Sequence, residues 1–172
     1  MTIVYVITTG GTIEKVYSER TGTVENRDCR IDRYLSFLRL PGCDIRIVPL
    51  MNKDSLEMTE PERDLILGTV KGLLLENAPI VITHGTDTMV RTGMHLYHGL
   101  PELKVPIVMT GAMTPIGFEG SDALQNLTES LFAARVLAPC VYVVIHGDAF
   151  PVYRVRKDYS LGRFVWTDYN LM

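Results

Sequence analysis

Short runs of β-branched and other apolar residues alternate along the chain with stretches whose apolar positions recur at helical spacing. The runs are Thr2 to Thr8, Asp44 to Leu50, Pro79 to Thr83, Val105 to Met109 and Val141 to Ile145. Each is nearly continuous in apolar side chains instead of alternating with polar ones, the pattern of strands buried on both faces. Between them, Thr59 and Glu62 fit a capping box, and Leu65, Thr69 and Leu73 follow at helical spacing. Met89, Gly93, Leu96 and Leu100 form one stripe within Thr88 to Leu100, and Leu124, Leu127, Leu131 and Ala134 another after Ser121. Ile31 to Leu40 predicts a shorter first helix. This alternation predicts an α/β fold: a doubly wound, mostly parallel five-stranded sheet in flavodoxin-like order, with helices on both faces. One segment breaks the rhythm. Glu14 to Arg30 is polar, carries charges of both signs and lacks a period, which predicts an irregular connection, either a functional lid or a disordered loop.

At 172 residues, 47% hydrophobic and 22% charged, the chain has the size and composition of one globular domain with a sizeable core, so a single domain over residues 1–172 is expected. A formal charge of -3 with no dense basic stripe argues against nucleic acid as a partner. The apolar runs are far too short to cross a bilayer, so no membrane partner is expected. The apolar start has no Lys or Arg before it and is cut off at Gly10 and Gly11, so no export signal is read. Cys29, Cys43 and Cys140 are odd in number and widely spaced, which reads as reduced thiols of a cytoplasmic protein, not a disulfide framework or zinc site.

Two strand ends carry the chemistry. The first ends in Thr8-Thr9-Gly10-Gly11-Thr12-Ile13 and the third in Thr83-His84-Gly85-Thr86-Asp87-Thr88. In an open parallel sheet, ligands bind beyond the carboxyl ends of the strands where the order reverses, between strands one and three in this order. Gly11 and Gly85 would bring backbone N–H groups close to a ligand there, and a helix starting near Thr86 adds donors, which suits an oxyanion. A threonine hydroxyl is a weak nucleophile until a base takes its proton, and Asp87 and Tyr17 stand nearest by sequence. Taken singly, either Gly-Thr is also an ordinary turn with a helix cap. His84 and His146 end strands without a third ligand at metal spacing and read as structural; no metal site and no cofactor are expected.

The stretches TTGGTI (Thr8 to Ile13) and THGTDT (Thr83 to Thr88) resemble the two signature motifs of the bacterial L-asparaginase family, the threonine amidohydrolases. Asp54 to Met58, Gly111 to Pro115 and Lys157 match further in the same order, so the resemblance spans nearly the whole chain. It implies the asparaginase N-terminal fold and hydrolysis of L-asparagine to L-aspartate and ammonia without a cofactor, in a homo-oligomer. By the same resemblance Thr12 is the nucleophile, and Thr86, Asp87 and Lys157 form a triad about the scissile amide. Thr86 and Asp87 also hold the amide and α-amino groups, Ser55 the α-carboxylate, the Ala112 carbonyl the leaving nitrogen, and Tyr17 is the lid tyrosine. Read from the residues alone, Arg154, Arg156 and Lys157 are a solvated basic edge.

The family pattern is also departed from. The smaller C-terminal domain, which supplies an acidic side chain to the substrate's α-amino end, is expected to be absent, and Asp54 and Glu57 are possible local substitutes. Leu56 stands where members that also hydrolyse glutamine have a glutamine, which implies weak glutaminase activity. Two alternatives stay open. One is a non-catalytic amino-acid-binding or regulatory module on the same fold. The other is a nucleotide site at Gly10-Gly11, although neither GxGxxG nor a Walker lysine is present.

Overall fold

The computed structural model describes residues 1–27 and 31–167. Its elements in chain order are β1 (Thr2–Gly10), β2 (Lys15–Ser18), β3 (Thr23–Asn26), α1 (Ile31–Leu35), β4 (Cys43–Lys53), α2 (Glu60–Leu73) and β5 (Ile80–Thr83). There follow α3 (Met89–Gly99), β6 (Ile107–Thr110), α4 (Ala123–Val136), β7 (Val141–Ile145), β8 (Asp148–Pro151), β9 (Val155–Asp158) and β10 (Arg163–Trp166). The central sheet runs β4-β1-β5-β6-β7-β8. Its first five strands are parallel and in the flavodoxin-like order, so the reversal falls between β1 and β5, where Thr8 faces Thr83.

Successive side chains along these strands point to opposite faces and enter two cores. Tyr5, Ile7, Ile80, Ile82, Ile107 and Met109 meet Ile66 and Val70 of α2 and Met89 and Leu96 of α3. Val4, Val6, Val81 and Val108 meet Ile31 and Leu35 of α1 and Leu127 and Leu131 of α4. With both faces covered, near-continuous apolar runs are what such strands require.

Four local expectations are corrected. The sheet has six strands, not five, because β8 folds back antiparallel on β7. His146 and Gly147 take positive φ (54° and 84°), as a two-residue primed turn requires, and a His-Gly pair is a weak signal for it. The described part of Glu14 to Arg30 is not irregular, since β2 and β3 pair as an antiparallel hairpin outside the main sheet; Cys29 and the end of that segment lie outside the described residues. The first helix stops at Leu35, well short of Leu40. On α2 the buried stripe is Arg63, Ile66 and Val70, with Leu65 half-exposed.

Candidate active site

The site is built where β1 and β5 end side by side. Gly10 and Gly11 take φ of 98° and 79°, a region open to glycine, and a Cβ on Gly11 would overlap the backbone of Gly85. The two glycine turns therefore pack directly on one another. Past Gly11 a single 3₁₀ turn, Thr12–Glu14, buries Ile13 and Glu14 and leaves Thr12 partly exposed on the lip of the sheet. The buried Glu14 carboxylate accepts from the Thr83 hydroxyl (2.6 Å) and the Gly10 N–H (3.3 Å), tying the turn to β5. Asn26 of β3 donates to the Gly11 carbonyl and to Asn52 Oδ1 (both 2.9 Å), anchoring the base of the hairpin there. The Gly11 N–H is committed to the Lys53 carbonyl (2.9 Å), so the donors left in this turn begin at Thr12.

On the facing turn Thr86 is buried, and Lys157 reaches it from β9. The Lys157 amine donates to Thr86 Oγ1 (2.8 Å) and Asp87 Oδ1 (2.6 Å) and lies 4.9 Å from the centre of the Tyr159 ring. Burial of Val155 and Phe164 in the core pins the β9–β10 hairpin that carries it.

Asp54 and Ser55 follow β4. Asp54 accepts from Lys15 (2.8 Å) and from the Leu56 N–H (3.0 Å), and these two partners, Lys15 first, hold its carboxyl below the usual range. Its charge is thus already matched by Lys15 of β2; Glu57 is exposed beside it. Ser55 is 1% exposed, yet its hydroxyl has no hydrogen-bond partner among the described residues. A Cβ on Gly85 would fall on that hydroxyl. A buried orphan hydroxyl is costly unless a ligand completes it.

The loop after β6 closes the third side. Gly111 packs against the His84 carbonyl and Thr86, with Ala112 buried next to it. Asp122 holds this loop by accepting from the Met113 and Thr114 N–H groups (3.0 Å each) and from His146 Nε2 (2.7 Å). Burial pushes the Asp122 carboxyl up, but the hydrogen bonds from Met113, His146 and Thr114 outweigh it and the net shift is downward. Asn126 adds a bond to the Gly111 carbonyl (3.0 Å).

The contacts thus bring Gly11, Ser55, Gly85, Thr86, Asp87 and Lys157 together, with Thr12 following Gly11 and Ala112 following Gly111 at the edges of the cluster. Tyr17 is not among them: it stands 58% exposed on the β2–β3 hairpin. Sequence reasoning missed Glu14, Arg63, Asp122 and Asn126, whose roles depend on partners far along the chain. Among the described residues, no group of three or more His, Cys, Asp or Glu is placed to hold a metal ion, and no helix is long and apolar enough to cross a membrane.

His84 is a structural feature with a pH signature. Burial, with a further push from Arg63, lowers its pKa to about 4, against the opposing bond to the Gly85 carbonyl (2.8 Å). A depressed imidazole contributes stability that is fully present above its unfolded pKa of about 6.5 and is lost as pH falls toward the folded value. The unfolding free energy from urea titration is expected to fall between pH 7 and pH 4.5 by roughly 2 kcal/mol, and His84→Gln is expected to flatten that dependence.

These polar side chains stand at the switch point of a doubly wound sheet, where such folds bind ligands. Comparison with known families gives this fold a lineage: the description "Asparaginase, N-terminal" matches residues 3–164, and the chain belongs to the asparaginase family. It is 34% identical over 158 residues to the L-asparaginase of Thermococcus kodakarensis, covering 91% of this chain and 48% of that protein. The solved structure of that enzyme superposes with a TM-score of 0.88 at 32% identity over 97% of this chain and 52% of that one. A probable cytoplasmic L-asparaginase from Campylobacter jejuni gives a TM-score of 0.81 at 25% identity over 98% and 52%. A glutamyl-tRNA(Gln) amidotransferase component from Methanosphaera stadtmanae is 30% identical over 96% of this chain and 40% of its own length. The chain spans about half the length of these relatives or less.

Proposed function

We propose that this chain carries an L-asparaginase site that hydrolyses L-asparagine to L-aspartate and ammonia. The observation that carries the reading is the Lys157 amine bridging the Thr86 hydroxyl and the Asp87 carboxylate beside the paired glycine turns. Thr12 Oγ attacks the side-chain carboxamide carbon, and its proton passes into the Lys157–Thr86 pair. Charge developing on the carboxamide oxygen is met by backbone N–H groups of the two turns, those of Thr12 and Thr86 being the donors offered. The C–N bond breaks, the nitrogen takes the proton and leaves as ammonia past the Ala112 carbonyl. Water then cleaves the acyl-Thr12 ester and releases aspartate.

The Ser55 hydroxyl receives the α-carboxylate, which supplies the partner it lacks, and Asp87 receives the α-ammonium. Tyr17 joins the reaction only if the β2–β3 hairpin swings inward, a lid movement about the anchors at Asn26 and Lys15. A homo-oligomer and a cytoplasmic location go with this reading. The free thiols of Cys43 and Cys140 fit a reducing compartment.

Similarity to an amidotransferase makes glutamine the rival amide. Leu56, exposed beside Ser55, has no polar group to hold a longer substrate in register. The kcat/KM for asparagine is therefore expected to exceed that for glutamine by about a hundredfold, read as ammonia release from each amide. Equal values would contradict the assignment of substrate, and binding without ammonia would favour a non-catalytic amino-acid-binding module.

A further inference from the structure

Two charged side chains are buried among the described residues, Glu14 in the first glycine turn and Arg63 on α2. Taking a guanidinium out of water costs several kcal/mol unless its donors are satisfied. The acidic partner of Arg63, Glu60 at 3.0 Å, is itself 54% exposed and shared with Arg91 at 2.8 Å, so it does little to offset that cost. The neutral acceptors do more. Arg63 donates to the Met58 carbonyl (2.8 Å), to Thr92 Oγ1 (3.1 Å) and to Thr88 Oγ1 (3.1 Å).

The Thr88 hydroxyl passes the connection on. Arginine has no acceptor, so Thr88 must accept from it and spend its own proton elsewhere. That proton goes to the Ser55 carbonyl at 2.9 Å. Thr88 directly follows Asp87 and occupies the N-cap position of α3, while Ser55 carries the orphan hydroxyl, packed against Gly85. Arg63 also grips the far end of the same turn, through Met58. The buried cation thus joins both ends of the Ser55 turn to the first turn of α3.

We infer that Arg63, acting through Thr88, is a positioning residue that fixes the span between the Ser55 hydroxyl and the Thr86–Asp87–Lys157 cluster. On the function proposed above, that span is the distance from a substrate's α-carboxylate to its scissile carboxamide. Asparagine and glutamine differ there by one methylene, so a span held rigidly by a buried network discriminates between them. A merely structural role would lower stability and leave the ratio of the two amides unchanged.

The test uses the full chain with Thr88→Val, Thr88→Ser and Arg63→Met. Valine removes the hydroxyl at nearly constant volume, serine restores it, and methionine keeps apolar bulk in place of the cation. KM for asparagine is expected to rise about tenfold in Thr88→Val and Arg63→Met, with kcat within about threefold of wild type, and the asparagine-to-glutamine ratio to shrink by about tenfold. Thr88→Ser is expected to restore all three. A fall in kcat at unchanged KM, or an unchanged ratio, overturns the inference.

Backbone amide exchange across Ser55 to Met58 gives a readout that needs no substrate. It is expected to quicken in Thr88→Val and Arg63→Met and to return to wild type in Thr88→Ser; unaltered exchange overturns the lock even where activity changes. Wild-type protein releasing no ammonia from either amide marks the failure of the proposed function itself, and the specificity claim falls with it.

Discussion

Thr12→Val is expected to lower kcat for asparagine by at least about a thousandfold while KM stays within a fewfold, because the change removes an attacking oxygen without altering volume. Thr12 occupies the partly exposed first position of the 3₁₀ turn, and the turn's anchors are its neighbours, not itself. Ile13 fills an apolar pocket with Ala112 and Ala123, and Glu14 holds Thr83 and Gly10. The fold of the variant is therefore expected to survive, as read by circular dichroism and melting temperature. Thr12→Ser keeps the hydroxyl and is expected to retain most of the rate. Valine and wild type releasing ammonia at similar rates would remove Thr12 from the chemistry.

Lys157→Met is expected to lower kcat by about a thousandfold, near the middle of the range for a lost proton-transfer group. The amine lies 2.8 Å from Thr86 Oγ1 and 2.6 Å from Asp87 Oδ1, so its loss takes away a proton carrier and leaves a carboxylate beside the scissile amide without its counter-charge. Arg156 is the internal control. It lies next in sequence, points outward and pairs with Asp158 at 3.0 Å, so Arg156→Met is expected to leave kcat unchanged. Equal losses from the two variants would show that hairpin packing, not the amine, had been disturbed.

How legible each of these features was depends on how local its cause is. The parallel strands could be read from apolar runs, because burial on both faces leaves a mark on nearly every residue of β1, β5, β6 and β7, and a weaker one on the edge strand β4. The two glycine turns could be read as turns, because close approach of backbones demands glycine at those positions whatever surrounds them. The β2–β3 hairpin left no comparable mark: it lies outside the main sheet, and its strands expose Tyr17 and Val24. Its polar sequence therefore read as irregular. The sixth strand was hidden by a His-Gly turn whose positive φ is supported by Asn126 and Asp122, both about twenty residues away.

Lys157 and Arg63 mark the limit most clearly. By local sequence the first lies in a basic edge that reads as solvated surface, and the second lies among Glu60, Glu62 and Asp64 with nothing to single it out. Long-range packing decides otherwise: Val155 and Phe164 carry Lys157 into the crevice, and the helical phase of Ile66 and Val70 turns Arg63 inward. Family resemblance supplied Lys157, and nothing in the local sequence supplied Arg63.

Cleavage of a carboxamide bond at the junction of β1 and β5 is read by incubating the purified chain with L-asparagine and following ammonia and aspartate together, with Lys157→Met in parallel. The two products are expected to appear in equal amounts from wild type and to fall to near background in the variant. Asparagine raising the melting temperature of the wild type while no ammonia appears above the variant's background would contradict it.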